Sequence, residues 1–366
     1  ISKHEKTKNK MKLKTIIFKI ISVFLSFNFA FFLSEIACRY KYHGFDGYLL
    51  DQEMFKIKNW NDHNVRNVFK QKWPVKLDSD LGWKSNPGDY TKNNPWNVIV
   101  NIDENGFRSN GKINKINNEE RIIVFVGDSF VFGDGVNDNE TIPSFYQKLK
   151  EDKIVNAGVS GYGIDQIYLT AVNLIDYLNV SEIFLCFIAN DINRTEYSIW
   201  CGAEKPFFKL ENNKLKYVGI NGNIESNSRV NFFQKYGGYS FLLHTLMMNF
   251  CKEYWLKPSS IGFKSEHKEG LSVSIKLLNQ LKNICDKRNV DLHLVPLMTG
   301  GKFEDEKKIL ELLGAVNRKF SIIDVYAELK KIKHKDLELW KSYFLDDELH
   351  LSKKGNNYVS NYIFSR

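Results

Sequence analysis

Hydrophobic positions change their period twice along the chain. From Thr15 to Ala37 they are almost continuous (TIIFKIISVFLSFNFAFFLSEIA), broken by Lys19 one turn inside the first end, where a long aliphatic stem can carry its ammonium to the interface. This pattern predicts a single membrane-spanning helix over residues 15–37, preceded by a basic tail, 1–14. Residues 40–117 mix aromatic, Asn, Gly and Pro residues around one alternating run, Asn97 to Asp103, and predict a small region of short strands and turns.

From residue 118 onward the texture changes again. RIIVFVGDS, KIVNAGVSG, SEIFLCFIAND, VDLHLVPLM and FSIIDV read as buried strands, and TIPSFYQKLKE, GIDQIYLTAVNLIDYL, SVSIKLLNQLKNICDKRN and SKKGNNYVSNYIF have helical spacing. Strands that alternate with helices call for a parallel sheet covered on both faces, so the expected fold class is α/β, a three-layer sandwich over 118–366. Residues 194–270 break the rhythm. They form an aromatic-rich insertion with a hairpin expected at KPFFKLENNKLKYVG and a long helix near SFLLHTLMMNFCKEYWL.

The 366 residues are 43% hydrophobic and 26% charged, which is the composition of a folding chain. A net charge of +9 would invite a nucleic-acid reading, but residues 1–40 hold seven Lys and Arg39 against Glu5 and Glu35, a net +6, leaving +3 for everything else. No basic face remains with which to neutralise a phosphate backbone, and nucleic acid is set aside. The lysines before the apolar run instead orient it: a positive flank stays in the cytoplasm and sends the bulk of the protein across the membrane, to the periplasm or cell surface. A cleaved signal peptide is the alternative, disfavoured by the length of the run and by the lack of a small-x-small site; Glu35 fits a lipoprotein site before Cys38 poorly. The chain opens on Ile1, so Met11 is a candidate start, and the anchor survives either choice. Five cysteines, an odd number without a C-x-x-C pair, imply neither a disulfide framework nor zinc; a Cys201–Cys251 pair is open if the compartment is oxidising.

Three polar signals fall where strands end, the edge of a parallel sheet at which loops and helix N-termini converge, and a fourth lies near the far end of the chain. Gly127-Asp128-Ser129 closes the first strand and places a serine on a turn, where its hydroxyl can act as a nucleophile and its own N–H can face a developing oxyanion. Asn156-Ala157-Gly158-Val159-Ser160-Gly161-Tyr162-Gly163 is a glycine-rich turn into a helix; it lacks the Lys-Ser/Thr of a phosphate loop and the spacing of a dinucleotide fingerprint, and suits the donation of backbone N–H groups. Ala189-Asn190-Asp191 ends the third strand with an amide. Asp347-Glu348-Leu349-His350 puts a carboxylate three residues before a histidine, able to bind one ring nitrogen and leave the other free as a base. Taken singly, each has an ordinary structural explanation: an Asp-Ser turn, a tight glycine turn, a capping amide, a solvated charged turn. His293, on an alternating strand pattern, reads as a polar-face or satisfied core residue.

The ordered set resembles the SGNH (GDSL-type) hydrolase superfamily over about residues 121–366, apart from the insertion. The resemblance implies a flavodoxin-like sheet, Ser129 as nucleophile, His350 as general base, Asp347 as its orienting acid, and an oxyanion hole from the N–H groups of Ser129 and Gly161 with the amide of Asn190. Gly158 is the competitor of Gly161, and Asp346 the neighbour of Asp347. Asp128 would brace the serine turn. Ala189 stands where the superfamily often has glycine. No metal or other cofactor is implied. With the anchor and the segment Asn105-Gly106-Phe107-Arg108, the chain looks like the membrane-tethered members associated with bacterial surface polysaccharides, which implies an extracytoplasmic esterase acting on acyl groups, commonly acetyl, of an acylated carbohydrate. An O-acyltransferase using the same residues, and a non-catalytic polysaccharide-binding or assembly protein, are the alternatives. Trp200, Phe207, Phe208 and Tyr217 are candidates for stacking on sugar rings, with packing as the competing role.

Overall fold

The run Ile122–Gly127 is buried along its whole length, as a strand must be when helices cover both faces of its sheet. In the computed structural model it is an inner strand of the sheet, β1. Described are residues 3–43, 73–111, 121–150, 152–200, 203–220, 232–237, 240–255, 263–301, 304–316, 318–347 and 349–366. They belong to two compact units, Ile1–Arg66 with Asn227–Ile261, and Asn67–Ser226 with Gly262–Arg366.

In the second unit the chain runs β1 (Ile122–Gly127), α1 (Ser129–Phe132), α2 (Ile142–Leu149), β2 (Lys153–Gly158), α3 (Ile164–Tyr177), β3 (Val180–Phe187), α4 (Ala189–Arg194), α5 (Gly270–Arg288), β4 (Asp291–Pro296), α6 (Glu306–Val316), β5 (Ser321–Ile322), α7 (Val325–Lys335), α8 (Leu337–Lys341) and α9 (Lys353–Phe364). The five strands are parallel and lie in the order 2-1-3-4-5. Val124 pairs with Val155 on one side and Ile183 on the other, and Leu185 pairs with Leu294. Helices α2 and α9 pack together, as do α3 and α5, giving the three-layer sandwich expected from the alternation of elements. One contiguous core joins all five strands.

Local signals set the helix ends. Thr141 caps α2 with Pro143 in its first turn, Asp324 caps α7, Ser352 caps α9, and Asn289 ends α5 in the left-handed conformation. Two expected strands are shorter than their hydrophobic runs. FSIIDV pairs only at Ser321–Ile322, because Asp324 is already the cap of α7. Of Asn97 to Asp103, only Asn101–Ile102 is strand: Asn97 is left-handed (φ 57°), and the Asn94 side chain holds the N–H groups of Trp96 and Val98 in a turn. The insertion hairpin forms as expected, Phe207–Glu211 against Lys214–Val218, with left-handed Asn212 and Asn213 supplying the turn.

The first unit contains the N-terminal helix Lys3–His43, of which Leu13–Lys41 is long and apolar enough to cross a membrane. Its Glu35 accepts hydrogen bonds from the N–H groups of Phe241 and Leu242 and from the Ser240 hydroxyl, capping the helix Phe241–Phe250, while Arg39 binds Glu35 at 2.8 Å. The long helix expected there is interrupted at Cys251 and resumes over Lys252–Trp255. Cys38, Cys186, Cys251 and Cys285 carry free thiols; Cys201 lies outside the described residues.

The close fit of β2 under α1 positions the serine. A Cβ on Gly158 would lie 2.2 Å from the backbone nitrogen of Phe132 and 2.7 Å from the carbonyl carbon of Val131. Gly158→Ala is therefore expected to destabilise the chain by about 3 kcal/mol, the upper part of the range for overpacked cores. Denaturant unfolding in detergent tests this, and an unchanged midpoint would show that α1 can lift off the strand without cost.

Candidate active site

In a 2-1-3-4-5 sheet the connections leave β1 and β3 in opposite directions, opening a crevice at their carboxyl ends. Ser129 follows β1, and Asn190, the second residue of α4, follows β3. The two ends are tied by buried charge. Arg194 Nη1 donates to Asp128 Oδ2 (3.1 Å), Asp191 Oδ1 (2.7 Å) and the carbonyl of Tyr162 (2.8 Å), and the second Asp191 oxygen accepts from the N–H of Ile188 at 3.0 Å. Burial, followed by the charge of Asp128, pushes the Asp191 carboxyl well up, against the pull of Arg194. Asp128 Oδ1 caps α1 through the N–H of Phe130 at 3.0 Å, the bracing role its place before the serine implies.

Ser129 and His350 meet across 221 positions of sequence. The turn after α8 is closed by the N–H of Leu345 on the His350 carbonyl (2.9 Å) and by a bridge between Phe344 and Leu351, and the ring lies 5.5 Å from that of Phe130. His350 Nε2 is 3.0 Å from Ser129 Oγ, and Nδ1 is 2.6 Å from Asp347 Oδ2. Asp347 Oδ1 accepts from the N–H groups of Leu349 and His350, at 2.9 and 3.0 Å. Burial would raise the Asp347 carboxyl, but the hydrogen bond and charge of His350, with those two N–H groups, hold it down at about 2. An ionised Asp347 keeps the proton on Nδ1 and leaves Nε2 to accept from the serine hydroxyl. Burial opposes charge on His350; the Asp347 hydrogen bond and the charges of Asp134, Asp347 and Asp128 outweigh it and raise its pKa. Asp346 is exposed and plays no part in this chain of bonds.

For the second backbone donor, the geometry separates the two glycines. The N–H of Gly158 is already given to Asn156 Oδ1 at 3.1 Å, while Asn156 Nδ2 reaches the carbonyl of Val131 at 2.9 Å. Among the described residues the N–H groups of Ser129 and Gly161 have no hydrogen-bond partner. Gly161 has φ 84°, a conformation that favours glycine. A Cβ there would face three indoles at 3.4 to 3.5 Å, those of Trp73, Trp83 and Trp200. Trp83 is fastened by its indole N–H to the carbonyl of Ser160 (3.1 Å), whereas Trp73 and Trp200 are only half-buried. Phe207 and Phe208 are buried in packing, Phe208 edge-on to Tyr168 and Tyr217. His293 is occupied as a structural residue: it stacks on Phe184, bonds Ser321 Oγ at 2.8 Å and faces Glu182 at 3.1 Å.

Sequence reasoning missed Asp134, Ser160, Arg194 and the full role of Arg108. The carboxylate of Asp134 is buried beside the imidazole, and Ser160 donates to it. Arg108 donates to the carbonyls of Ile99, Phe132, Gly133 and Val136 and to Asp138, so its buried guanidinium staples the loop after the serine. Two spacings carried a signal: Asp191-x-x-Arg194 on one helical face, and a second acid five residues after the serine between two glycines.

The serine at the end of β1 and the histidine turn before the last helix thus meet at the carboxyl edge of the sheet, where the amide at the end of β3 also lies. No family model and no curated protein matches the chain. Solved structures similar to it include a lipase/acylhydrolase from Enterococcus faecalis (14% identity, 67% of this chain and 94% of that one, TM-score 0.36), the esterase EstA from a Pseudoalteromonas species (11%, 67% and 96%, 0.39) and a GDSL-like lipase from Bacteroides thetaiotaomicron (12%, 69% and 90%, 0.37). That likeness is one of fold, and at these identities and scores it carries neither reaction nor substrate.

Because Asp347 supplies the largest upward pull on the imidazole, Asp347→Asn should move the protonation midpoint of His350 to lower pH. Peptide-resolved carbethoxylation of the histidine across pH reads this directly, and an unmoved midpoint would mean that the Asp347 contact does not govern the ring.

Proposed function

We propose that the chain is a membrane-anchored serine esterase whose catalytic residues are Ser129, His350 and Asp347. The observation that carries this reading is the continuous hydrogen-bond chain from Asp347 through both ring nitrogens to the serine hydroxyl. In the reaction, Ser129 Oγ adds to the ester carbonyl carbon as its proton passes to His350 Nε2. The N–H groups of Ser129 and Gly161 and the amide of Asn190 take up the oxyanion. The tetrahedral adduct then collapses: the carbon–oxygen bond to the alcohol breaks, the alcohol leaves with the Nε2 proton, and an acyl-serine remains. Water, deprotonated by the same nitrogen, adds to the acyl carbon, and release of the acid restores the serine.

The basic flank of the apolar helix supports an extracytoplasmic catalytic domain. An acylated carbohydrate suits the half-buried faces of Trp73 and Trp200 beside Gly161, since indoles stack on sugar rings next to the point where the acyl carbonyl would sit. Acetyl groups on surface polysaccharide are the substrate this reading favours. With a sugar hydroxyl in place of water, the same acyl-serine would be resolved by transfer.

Detergent-solubilised full-length protein should release 4-nitrophenol from 4-nitrophenyl acetate, and Ser129→Ala and His350→Ala should abolish the release above background. Asn190→Ala should lower kcat by about 10² to 10³, the usual loss of one oxyanion donor. Equal rates in wild type and Ser129→Ala would reject the esterase. Release that accelerates on adding an oligosaccharide acceptor, with acylated sugar appearing, would assign transfer.

A further inference from the structure

We infer that Asp134 is a second carboxylate partner of His350, placed on the Nε2 side, which raises the proton affinity of the imidazole and steadies the imidazolium formed as Ser129 is deprotonated. Its effect on turnover rests on the serine-esterase reading; its effect on the imidazole does not. Asp134 belongs to the loop that follows α1, in Gly133-Asp134-Gly135, and its N–H donates to the carbonyl of Ser129 at 3.0 Å. Only 3% of it is exposed. One carboxylate oxygen accepts the Ser160 hydroxyl at 2.5 Å, and the other stands 3.8 Å from His350 Nε2. Among the described residues, His350 is the one basic side chain within ion-pair distance of it.

The distance matters in two ways. At 3.8 Å the carboxylate makes no hydrogen bond to the resting ring, so Nε2 stays available to the serine at 3.0 Å. Once the proton reaches Nε2, the ring becomes a cation facing a carboxylate across the same gap in a buried site, where the attraction is several times stronger than in water. The imidazole is thus flanked by acids at both nitrogens, Asp347 binding Nδ1 and Asp134 facing Nε2. Other charges in view are Asp128 from the end of β1, itself held by Arg194 of α4, and Arg108 from the N-terminal segment, which staples the Asp134 loop through Phe132, Gly133 and Val136. Burial, working against His350, Ser160 and Arg108, lifts the Asp134 carboxyl to about 6, so it ionises in the range in which a histidine titrates.

A second acid at this place has opposite effects on the two limbs of catalysis. It favours the charged ring in the transition state, which raises the plateau rate, and it favours the charged ring at rest, which carries the acid limb to higher pH. Asp134→Asn keeps the shape and the oxygen that accepts from Ser160 but removes the charge. In full-length protein in detergent, this variant should lower plateau kcat roughly 3- to 30-fold, about 0.7 to 2 kcal/mol of barrier, and should move the acid limb of kcat/KM to lower pH. A residue that only supported the fold would lower the rate at every pH and leave the limb in place. The midpoint of His350 carbethoxylation, followed by mass spectrometry in the same preparations, should fall with it. An unmoved limb and midpoint would overturn the role of Asp134. Wild type that hydrolyses no ester would count against the esterase reading alone, and the carbethoxylation midpoint would still decide whether Asp134 acts on His350.

Discussion

The contact between Ser129 Oγ and His350 Nε2 brings together two segments that the rest of the fold exists to hold in place. A serine hydroxyl ordinarily keeps its proton; within 3.0 Å of an unprotonated ring nitrogen it has somewhere to send it. Each partner is fixed from its own side. The serine stands on a one-turn helix that cannot shift, because Asp128 caps it and β2 presses against it at Gly158. The histidine sits on a turn closed by main-chain bonds, and Ser352, the cap of α9, stands two residues later. Both sides are tied by hydrogen bonds of their own, so the donor and acceptor are brought together before any ligand arrives.

Among the described residues, three buried cations stand around this contact, and each fastens one segment to the core. Arg194 joins the ends of β1 and β3 through Asp128 and Asp191. Arg108 ties the N-terminal segment to the loop after the serine, partly through Asp138. Lys205 brings the insertion to Asp165 at the start of α3, with both side chains fully buried. Burying such pairs gains little net stability, because desolvation offsets most of their attraction, but an unpaired member is costly, so the segments have one satisfied arrangement. Asp134 stands apart from this scheme. Its oxygens meet a hydroxyl and the imidazole rather than a guanidinium or ammonium within pairing distance, and for that reason its charge is spent on the ring.

The aromatic side chains divide along similar lines. Phe207 and Phe208 are neighbours in a strand and could have faced a ligand or the interior; both are buried, Phe208 against Tyr168 of α3 and Phe207 beside His267. Trp200, seven residues earlier, ends on the border of Gly161 because the strand carrying it pairs with both Phe263–Ser265 and Ala203–Glu204, which sets its register. The guanidinium of Arg194 lies 5.2 Å over its ring, coupling that indole to the charge cluster behind the serine.

The sequence by itself determined everything that depends on short range: the apolar helix, the five strands and their helices, the Asn-Asn hairpin, and the placement of Ser129, Asn190 and His350 at element ends. Those features follow from the period of buried positions and from capping chemistry acting over a few residues, and the pair Asp347–His350 was legible for the same reason, lying three positions apart. Where a hydrophobic run met a competing local bond, the run lost: Asn94 shortened one strand and Asp324 another. What only the tertiary structure decided was which distant groups share a site. Gly161 rather than Gly158 has a free N–H because Asn156 claims the other, and Asp134, Arg108 and Arg194 acquire their meaning from distant partners, Arg194 from Asp128 66 positions away and Asp134 from His350 much farther along the chain. Chain connectivity carries no information about such distances; closing the sheet in the order 2-1-3-4-5 creates them, and the cost of burying an unpaired charge selects the partners.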